Sequence, residues 1–314
     1  MTGFSPESTA FLFPGQGSQT LGMGQELTHA FPAAKLTFEE ADEILHFPLS
    51  KTAWEGPERE LNDTINTQPA LLVHSIACLR VFQLTFPGFI PAFVAGHSMG
   101  EISALVASGA ASFSEALTLA RKRGELMKQA GEHSPGGMAA ILGLDIPSLE
   151  KICTEARTAN EPVQVANDNS PGQVVISGAK PALERAISLA QQSGARRAVF
   201  LAVSIAAHSE LMIHAQEAFN EAVKVLSMYN PAPPIIGNVT ASPLLSSDEI
   251  RSDLCAQLTS RVRWTESIRF MISRGVNTFI ELGNGNVLTG LLKRIDPQVT
   301  GIPLGAPQDF NILV

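Results

Sequence analysis

The chain reads as an α/β protein with a mostly parallel sheet and a smaller inserted unit, on three observations. A G-x-S-x-G pentapeptide, Gly96-His97-Ser98-Met99-Gly100, stands between an apolar run and a helix-forming run. Strand-like and helix-like patterns alternate through residues 1–131 and resume over 204–314, the rhythm of a parallel sheet covered by helices. Between them, residues 132–203 run β-α-β-β-α-β, the order of a ferredoxin-like unit.

The elements follow in order. Thr9-Ala10-Phe11-Leu12-Phe13 is an apolar strand that runs into the loop Pro14-Gly15-Gln16-Gly17-Ser18-Gln19. Residues 69–82 have helical apolar spacing, and Phe89 to Ala95 reads as a short buried strand. Ile102, Leu105, Val106 and Ala107 then fall at helical spacing. Strand, sharp turn and helix are the context of a nucleophile elbow, in which the flanking glycines let backbone pass closely and the serine hydroxyl stands at the tip of the sheet. The serine also sits at a helix N-terminus, where free N–H groups stabilise a developing oxyanion. Phe113 to Ala130 is an amphipathic helix carrying Arg121, Lys122 and Arg123.

In the inserted unit, Gly137 to Leu144 is a strand and Pro147 to Ala156 a helix with proline near its start. Val163-Gln164-Val165-Ala166 and Gln173 to Ser177 are strands on either side of a turn over Asn167 to Gly172. A helix over Lys180 to Ser193 and a strand over Arg197 to Leu201 complete it. The third block begins with a long helix from His208 to Ser227. It continues with short strands over Pro234 to Val239 and Thr278 to Leu282, and a helix over Trp264 to Ser273. Pro231-Ala232-Pro233-Pro234 reads as a connector, and Ala306 to Val314 as a tail that packs late or frays.

Composition narrows the function classes. With 22 Lys and Arg against 30 Asp and Glu, the net charge of −8 argues against a nucleic-acid binder, which carries a basic footprint. No apolar run reaches the roughly 20 residues that span a bilayer, and the first residues show no basic n-region or signal-type apolar stretch. Cys78, Cys153 and Cys255 are an odd, scattered set, which fits reduced thiols in a cytoplasm better than a disulfide framework. No His/Cys cluster has metal-ligand spacing, so no metal site is expected.

Several motifs in one order resemble the malonyl-CoA:acyl-carrier-protein transacylase family. They are Pro14 to Gln19, Asn62 through Leu72, Gly96 to Glu101, Ala206-Ala207-His208, and Glu281-Leu282-Gly283 with Val287-Leu288-Thr289-Gly290. The resemblance runs from about Phe11 to Arg294. It implies an α/β-hydrolase-like core holding the ferredoxin-like subdomain, and a ping-pong transfer of malonyl from coenzyme A to an acyl carrier protein. It implies no metal or redox cofactor, the phosphopantetheine arriving on the partner, and no nucleic acid or membrane as partner.

By resemblance, Ser98 is the nucleophile and His208 the general base, which takes the serine proton and returns it to the leaving thiolate. The rate of acylation should then fall as pH drops through the His208 pKa, ordinarily about 6.5. Gln16 and Met99 supply backbone N–H groups for the oxyanion, and the main-chain carbonyl of Gln257 orients the histidine in place of a triad aspartate. Arg123, followed by Gly124, offers the planar fork that pairs with a malonyl carboxylate. Gln68, Asn167 and Asn169 match residues near the acyl or coenzyme A pocket. His97 is expected to turn away from the nucleophile, and His29, His46, His74, His133 and His214 to be ordinary surface or helix-face residues. A carrier of acidic charge would need a basic rim drawn from Lys122, Arg196, Arg197, Arg261, Arg263, Lys293 and Arg294.

The chain departs from the family at Asn284, where a proline is common, and at Ile205-Ala206-Ala207, whose small side chains leave room for an α-substituent. Two alternatives stay open: a trans-acting acyltransferase or proofreading acyl hydrolase of a polyketide synthase, and a catalytically silent carrier-binding module.

Overall fold

A computed structural model describes residues 4–311. Ten strands form two sheets: β1 (Thr9–Phe13), β2 (Phe93–Gly96), β3 (Gly136–Leu142), β4 (Val163–Ser170), β5 (Gln173–Ala179), β6 (Arg197–Phe200), β7 (Ile235–Ile236), β8 (Pro243–Leu244), β9 (Thr278–Leu282) and β10 (Thr300–Leu304). The larger sheet has the order β10-β9-β1-β2-β7-β8, parallel throughout except for the β7–β8 edge. Every residue of β1 is buried, as expected of a central strand covered on both faces. Phe11 and Phe13 face one apolar layer, while Ala10 and Leu12 face the other.

The smaller sheet, β4-β5-β3-β6, is antiparallel, which is the strand order of a ferredoxin-like unit. Helices Ile146–Ala156 and Lys180–Gln192 cover one face of it, around a separate core that includes Ile141, Leu149, Ile176 and Leu183. The α/β class, the parallel sheet and the antiparallel insert are therefore as the patterns predict.

Local differences have local causes. The expected strand at Phe89 begins only at Phe93, because Phe89 turns into an aromatic cluster with Phe4, Phe11 and Phe82 and Pro91 has no N–H for a ladder. The turn expected over residues 167–172 shrinks to Pro171-Gly172, with Gly172 at φ +71°. Asn167 and Asp168 instead pair with β5 across register shifts, so cross-strand pairing overrides their turn preference. The helix expected from His208 starts at Ile213, after a single 3₁₀ turn over Glu210–Met212. Ser209 interrupts it, its hydroxyl donating to the Ala206 carbonyl and accepting from the Leu211 N–H. The C-terminal segment packs rather than frays over Pro307–Asn311, with Phe310 buried against Phe31; residues 312–314 lie outside the described residues. His74 is fully buried on helix Thr64–Thr85, not on a surface, and its Nε2 meets the Gly305 carbonyl at 2.9 Å.

Helix Phe113–His133 lies against helix Thr64–Thr85 at very short range, and Gly124 sets the approach. A Cβ there would stand 2.5 Å from the Thr64 carbonyl oxygen. Replacing a mid-helix glycine by alanine ordinarily gains about 1 kcal/mol, whereas forcing backbone apart costs about 1–3 kcal/mol or more. Gly124→Ala should therefore lower the chemical-denaturation midpoint; an unchanged or higher midpoint would show that the two helices have room to spare.

Candidate active site

Four of the loops that meet at the site leave the carboxyl ends of strands of the parallel sheet, the usual place for chemistry on such a sheet. Pro14 to Gln19 follows β1, the elbow follows β2, Asn238 follows β7 and Gly283 follows β9. Phe13 and Gly96 are paired across β1 and β2, and the His97 N–H donates to the Phe13 carbonyl at 3.0 Å. A Cβ on Gly100 would lie 2.1 Å from that carbonyl oxygen, so only glycine lets the elbow sit against the β1 loop.

Ser98 has φ +53°, a left-handed conformation that costs a non-glycine residue about 1–3 kcal/mol. Asn238 holds it there. The Ser98 N–H donates to Asn238 Oδ1 at 2.7 Å, and Asn238 Nδ2 donates to the Gly96 carbonyl at 2.7 Å, bridging the turn. With the Ser98 N–H consumed, there remain the N–H groups of Met99 at the elbow and of Gln16 in the β1 loop. Neither has a protein partner among the described residues.

The Ser98 hydroxyl lies 2.8 Å from His208 Nε2. His208 Nδ1 faces two carbonyls, Gln257 at 2.9 Å and Ser260 at 3.2 Å, so Nδ1 carries the proton and Nε2 offers its lone pair to the serine. His208 is also left-handed, at φ +58°. Burial first, then the Arg123 charge, pushes its pKa down to about 3, against the two carbonyls that pull upward. The acid limb expected near 6.5 from the residue type alone therefore moves far down: His208 is neutral throughout the physiological range.

Arg123 is only 1% exposed and reaches the same point. Its guanidinium donates to Gln68 Oε1 at 2.9 Å, Gln257 Oε1 at 2.8 Å and Ser98 Oγ at 3.1 Å, with the Met127 sulfur at 3.2 Å. Burial lowers its pKa to about 10, offset by the Glu101 charge, so it remains a cation at neutral pH. Gln68 Nε2 donates to Thr64 Oγ1, which donates to Gln16 Oε1 at 3.0 Å, joining Arg123 to the β1 loop. Gln257 Nε2 donates to Glu101 and to the Ser98 carbonyl. A cleft of about 480 Å³ opens from Gln16 past Ile205 to Arg59 and Lys128.

The structure thus gathers Ser98, His208, Arg123, Gln257 and Gln68 into one hydrogen-bonded cluster, with Gln16 linked through Thr64 and Met99 beside Ser98. Asn167 and Asn169 stand outside it. Asn169 Oδ1 takes His97 Nε2 at 2.8 Å, and His97 turns its ring edge-on to Trp264, away from the nucleophile as expected. Asn167 is buried in a bridge to Val262. Asn284, the departure from the family pattern, donates to the Ser18 carbonyl and Thr20 Oγ1 and so ties the β9 loop to the β1 loop. Within the expected basic rim, Arg261 is paired with Glu150 and Glu266, and Arg263 with Glu266.

Glu101 and Asn238 were not singled out from the residues. Glu101 is buried, and burial together with the Asp253 charge pushes its carboxyl well above the usual carboxylate range. Its position in the first turn of the elbow helix is the signal that sequence offered; Asn238 had none, since its partner is 140 residues away.

No group of three His, Cys, Asp or Glu among the described residues could hold a metal ion, and no helix is long and apolar enough to cross a membrane.

A strained serine at the tip of a parallel sheet, a neutral histidine on its hydroxyl and free N–H groups beside it define the class of serine-centred acyl-transfer enzymes. The chain belongs to the acyl transferase domain family, which matches residues 10–299. It is 46% identical over 97% of its length to a malonyl CoA-acyl carrier protein transacylase of Bacillus subtilis, covering 96% of that protein. Its fold is similar to an acyl carrier protein S-malonyltransferase of Vibrio cholerae, with a TM-score of 0.94 and 41% identity over 98% of this chain and 100% of that one. A malonyl-transacylase solved in complex with a type II polyketide synthase acyl-carrier protein matches with a TM-score of 0.94 and 41% identity, over 98% of each chain.

The buried imidazole has a direct check. Histidine-selective nitrogen NMR should find His208 neutral, protonated on Nδ1, from pH 8 down to at least about pH 5. A titration centred near 6.5 would mean that water reaches the ring.

Proposed function

We propose that the chain transfers a malonyl group from malonyl-CoA to the phosphopantetheine thiol of an acyl carrier protein through a malonyl ester on Ser98. The observation that carries this reading is Arg123, a buried cation whose fork lies 3.1 Å from the Ser98 hydroxyl and whose hydrogen bonds among the described residues go to Gln68, Gln257, Ser98 and Met127, none of them a carboxylate. Transacylases and malonyltransferases so named among its relatives support the same reaction, and the carrier complex of a similar transacylase supports a separate carrier as partner.

In the first half-reaction, His208 Nε2 takes the hydroxyl proton as Ser98 Oγ attacks the thioester carbonyl. The carbonyl oxygen gains charge between the Gln16 and Met99 N–H groups, which need little reorganisation to receive it. The C–S bond then breaks and the proton on His208 goes to the coenzyme A thiolate. In the second half, His208 takes the proton of the carrier thiol, the sulfur attacks the ester, and Ser98 leaves with that proton. The Gln257 carbonyl keeps the imidazole in the Nδ1–H form throughout, where a triad would use aspartate. Arg123 grips the distal carboxylate during both steps. No step calls on a metal or redox group.

We divide the chain into a core of residues 1–131 and 204–314 and a ferredoxin-like subdomain of residues 132–203. We assign the reaction to the cytoplasm, where three unpaired cysteines and an acidic carrier are at home.

Brief exposure to malonyl-CoA should add a malonyl mass to the Ser98 peptide, and Ser98→Ala should remove it. Arg123→Ala strands a carboxylate in a buried site, a loss on the order of 3–5 kcal/mol, or two to four orders of magnitude in malonylation. Acetyl-CoA has no carboxylate to strand, so the ratio of malonyl to acetyl transfer should collapse. An equal loss with both thioesters would reduce Arg123 to a structural role.

A further inference from the structure

His208 owes its place to a loop, not to a helix, and two segments decide where its ring lies. One is residues 206–210, with His208 itself left-handed; the other is the turn over residues 257–260, whose carbonyls at Gln257 and Ser260 take the Nδ1 proton. Besides His208 itself, one side chain among the described residues joins them. Gln164, on β4 of the inserted sheet, donates from Nε2 to the His208 carbonyl at 3.1 Å and to the Thr259 carbonyl at 2.9 Å. Its Oε1 accepts the Glu210 N–H at 3.2 Å.

The amide thus spends both protons and a lone pair on main-chain groups of these two segments. Its neighbours Val163 and Val165 are buried in the subdomain core, and strand alternation turns Gln164 the other way, toward the histidine loop. It is half-buried and forms part of the wall of a cleft of about 250 Å³, lined also by Cys153, Arg157 and Arg261, so side-chain packing does not fix it on that side. β4 is fastened to the same turn further along, where the Val262 N–H donates to the Ala166 carbonyl at 2.8 Å and the Asp168 N–H donates to the Val262 carbonyl at 2.9 Å.

We propose that Gln164 is a positioning residue for the general base, through which the inserted subdomain sets the distance between His208 Nε2 and the Ser98 hydroxyl. This rests on the reading of Ser98 and His208 as nucleophile and base. Gln164 touches neither Arg123 nor the Gln16 and Met99 N–H groups. Its loss acts on the chemical step and leaves malonyl-CoA binding alone. Misplacing a catalytic group by about 1 Å costs on the order of a hundredfold.

The test is rapid-quench acylation of Ser98 by malonyl-CoA in the full chain, comparing wild type, Gln164→Met, Gln164→Glu, His208→Ala and the double variant Gln164→Met/His208→Ala. Methionine keeps the length and removes the hydrogen bonds, while glutamate keeps the acceptor and loses both donors. Either single Gln164 variant should lower the maximal acylation rate roughly ten- to a hundredfold with KM within about twofold. In the His208→Ala background the Gln164→Met change should cost nothing further, because a residue that acts through histidine has nothing left to position. Wild-type rates in both Gln164 variants, or a loss that persists in full without His208, would overturn the proposal. If His208→Ala itself acylates at the wild-type rate, it is the assignment of the base that fails.

Discussion

A guanidinium buried beside a serine, with no carboxylate touching it, is the constraint on which the site depends. Arg123 is a cation at neutral pH, and its partners are the neutral oxygens of Gln68, Gln257 and Ser98. Glu101 is joined to Arg123 through the Gln257 amide, whose oxygen faces Arg123 and whose nitrogen faces the carboxyl. Neutral dipoles keep such a charge in place without satisfying it. In the proposed reading a carboxylate brought by the substrate would complete a bidentate, charge-assisted pair in this shielded pocket, which an acetyl or alkyl group could not reproduce.

The same residues fix Ser98. Gln257 serves four neighbours at once: its carbonyl accepts from His208 Nδ1, its side-chain oxygen accepts from Arg123, and its nitrogen donates to Glu101 and to the Ser98 carbonyl. Arg123 donates to the serine oxygen, and the serine hydroxyl faces the His208 Nε2 lone pair. Both Ser98 and His208 occupy left-handed backbone. Each is held by a side-chain amide from elsewhere in the chain, Asn238 for the serine and Gln164 for the histidine loop. The left-handed backbone at Ser98 and His208 is thus offset by hydrogen bonds from distant parts of the chain.

Much of this was legible in the residues, for physical reasons that differ by case. β1 and β9 are visible because continuous apolar runs mark strands buried on both faces, and the helix Trp264–Ser273 because its apolar stripe has helical period. The insert is visible because each of its elements is local and its order is diagnostic. Ser98 is read from its elbow, but the placement of His208, Arg123, Gln16 and Gln257 follows from resemblance, since contacts between residues up to 159 apart leave no local pattern. The helices over 25–61 and the strand β10 went unread, their apolar residues being scattered among charged ones or broken by proline. His74 looked like a helix-face residue because sequence does not tell which face of an almost wholly buried helix is covered. The turn at 167–172 shows the opposite error, a strong local preference overruled by strand pairing.

The most direct measurement is a crystal structure of the protein after brief exposure to malonyl-CoA. The account predicts an ester on Ser98 Oγ, its carbonyl oxygen between the Gln16 and Met99 N–H groups, and its free carboxylate bidentate on Arg123, which gives up its contact with the serine oxygen. An ester on Ser98 whose carboxylate points to solvent, with Arg123 still bonded to Gln68 and Gln257 as in the free enzyme, would contradict it.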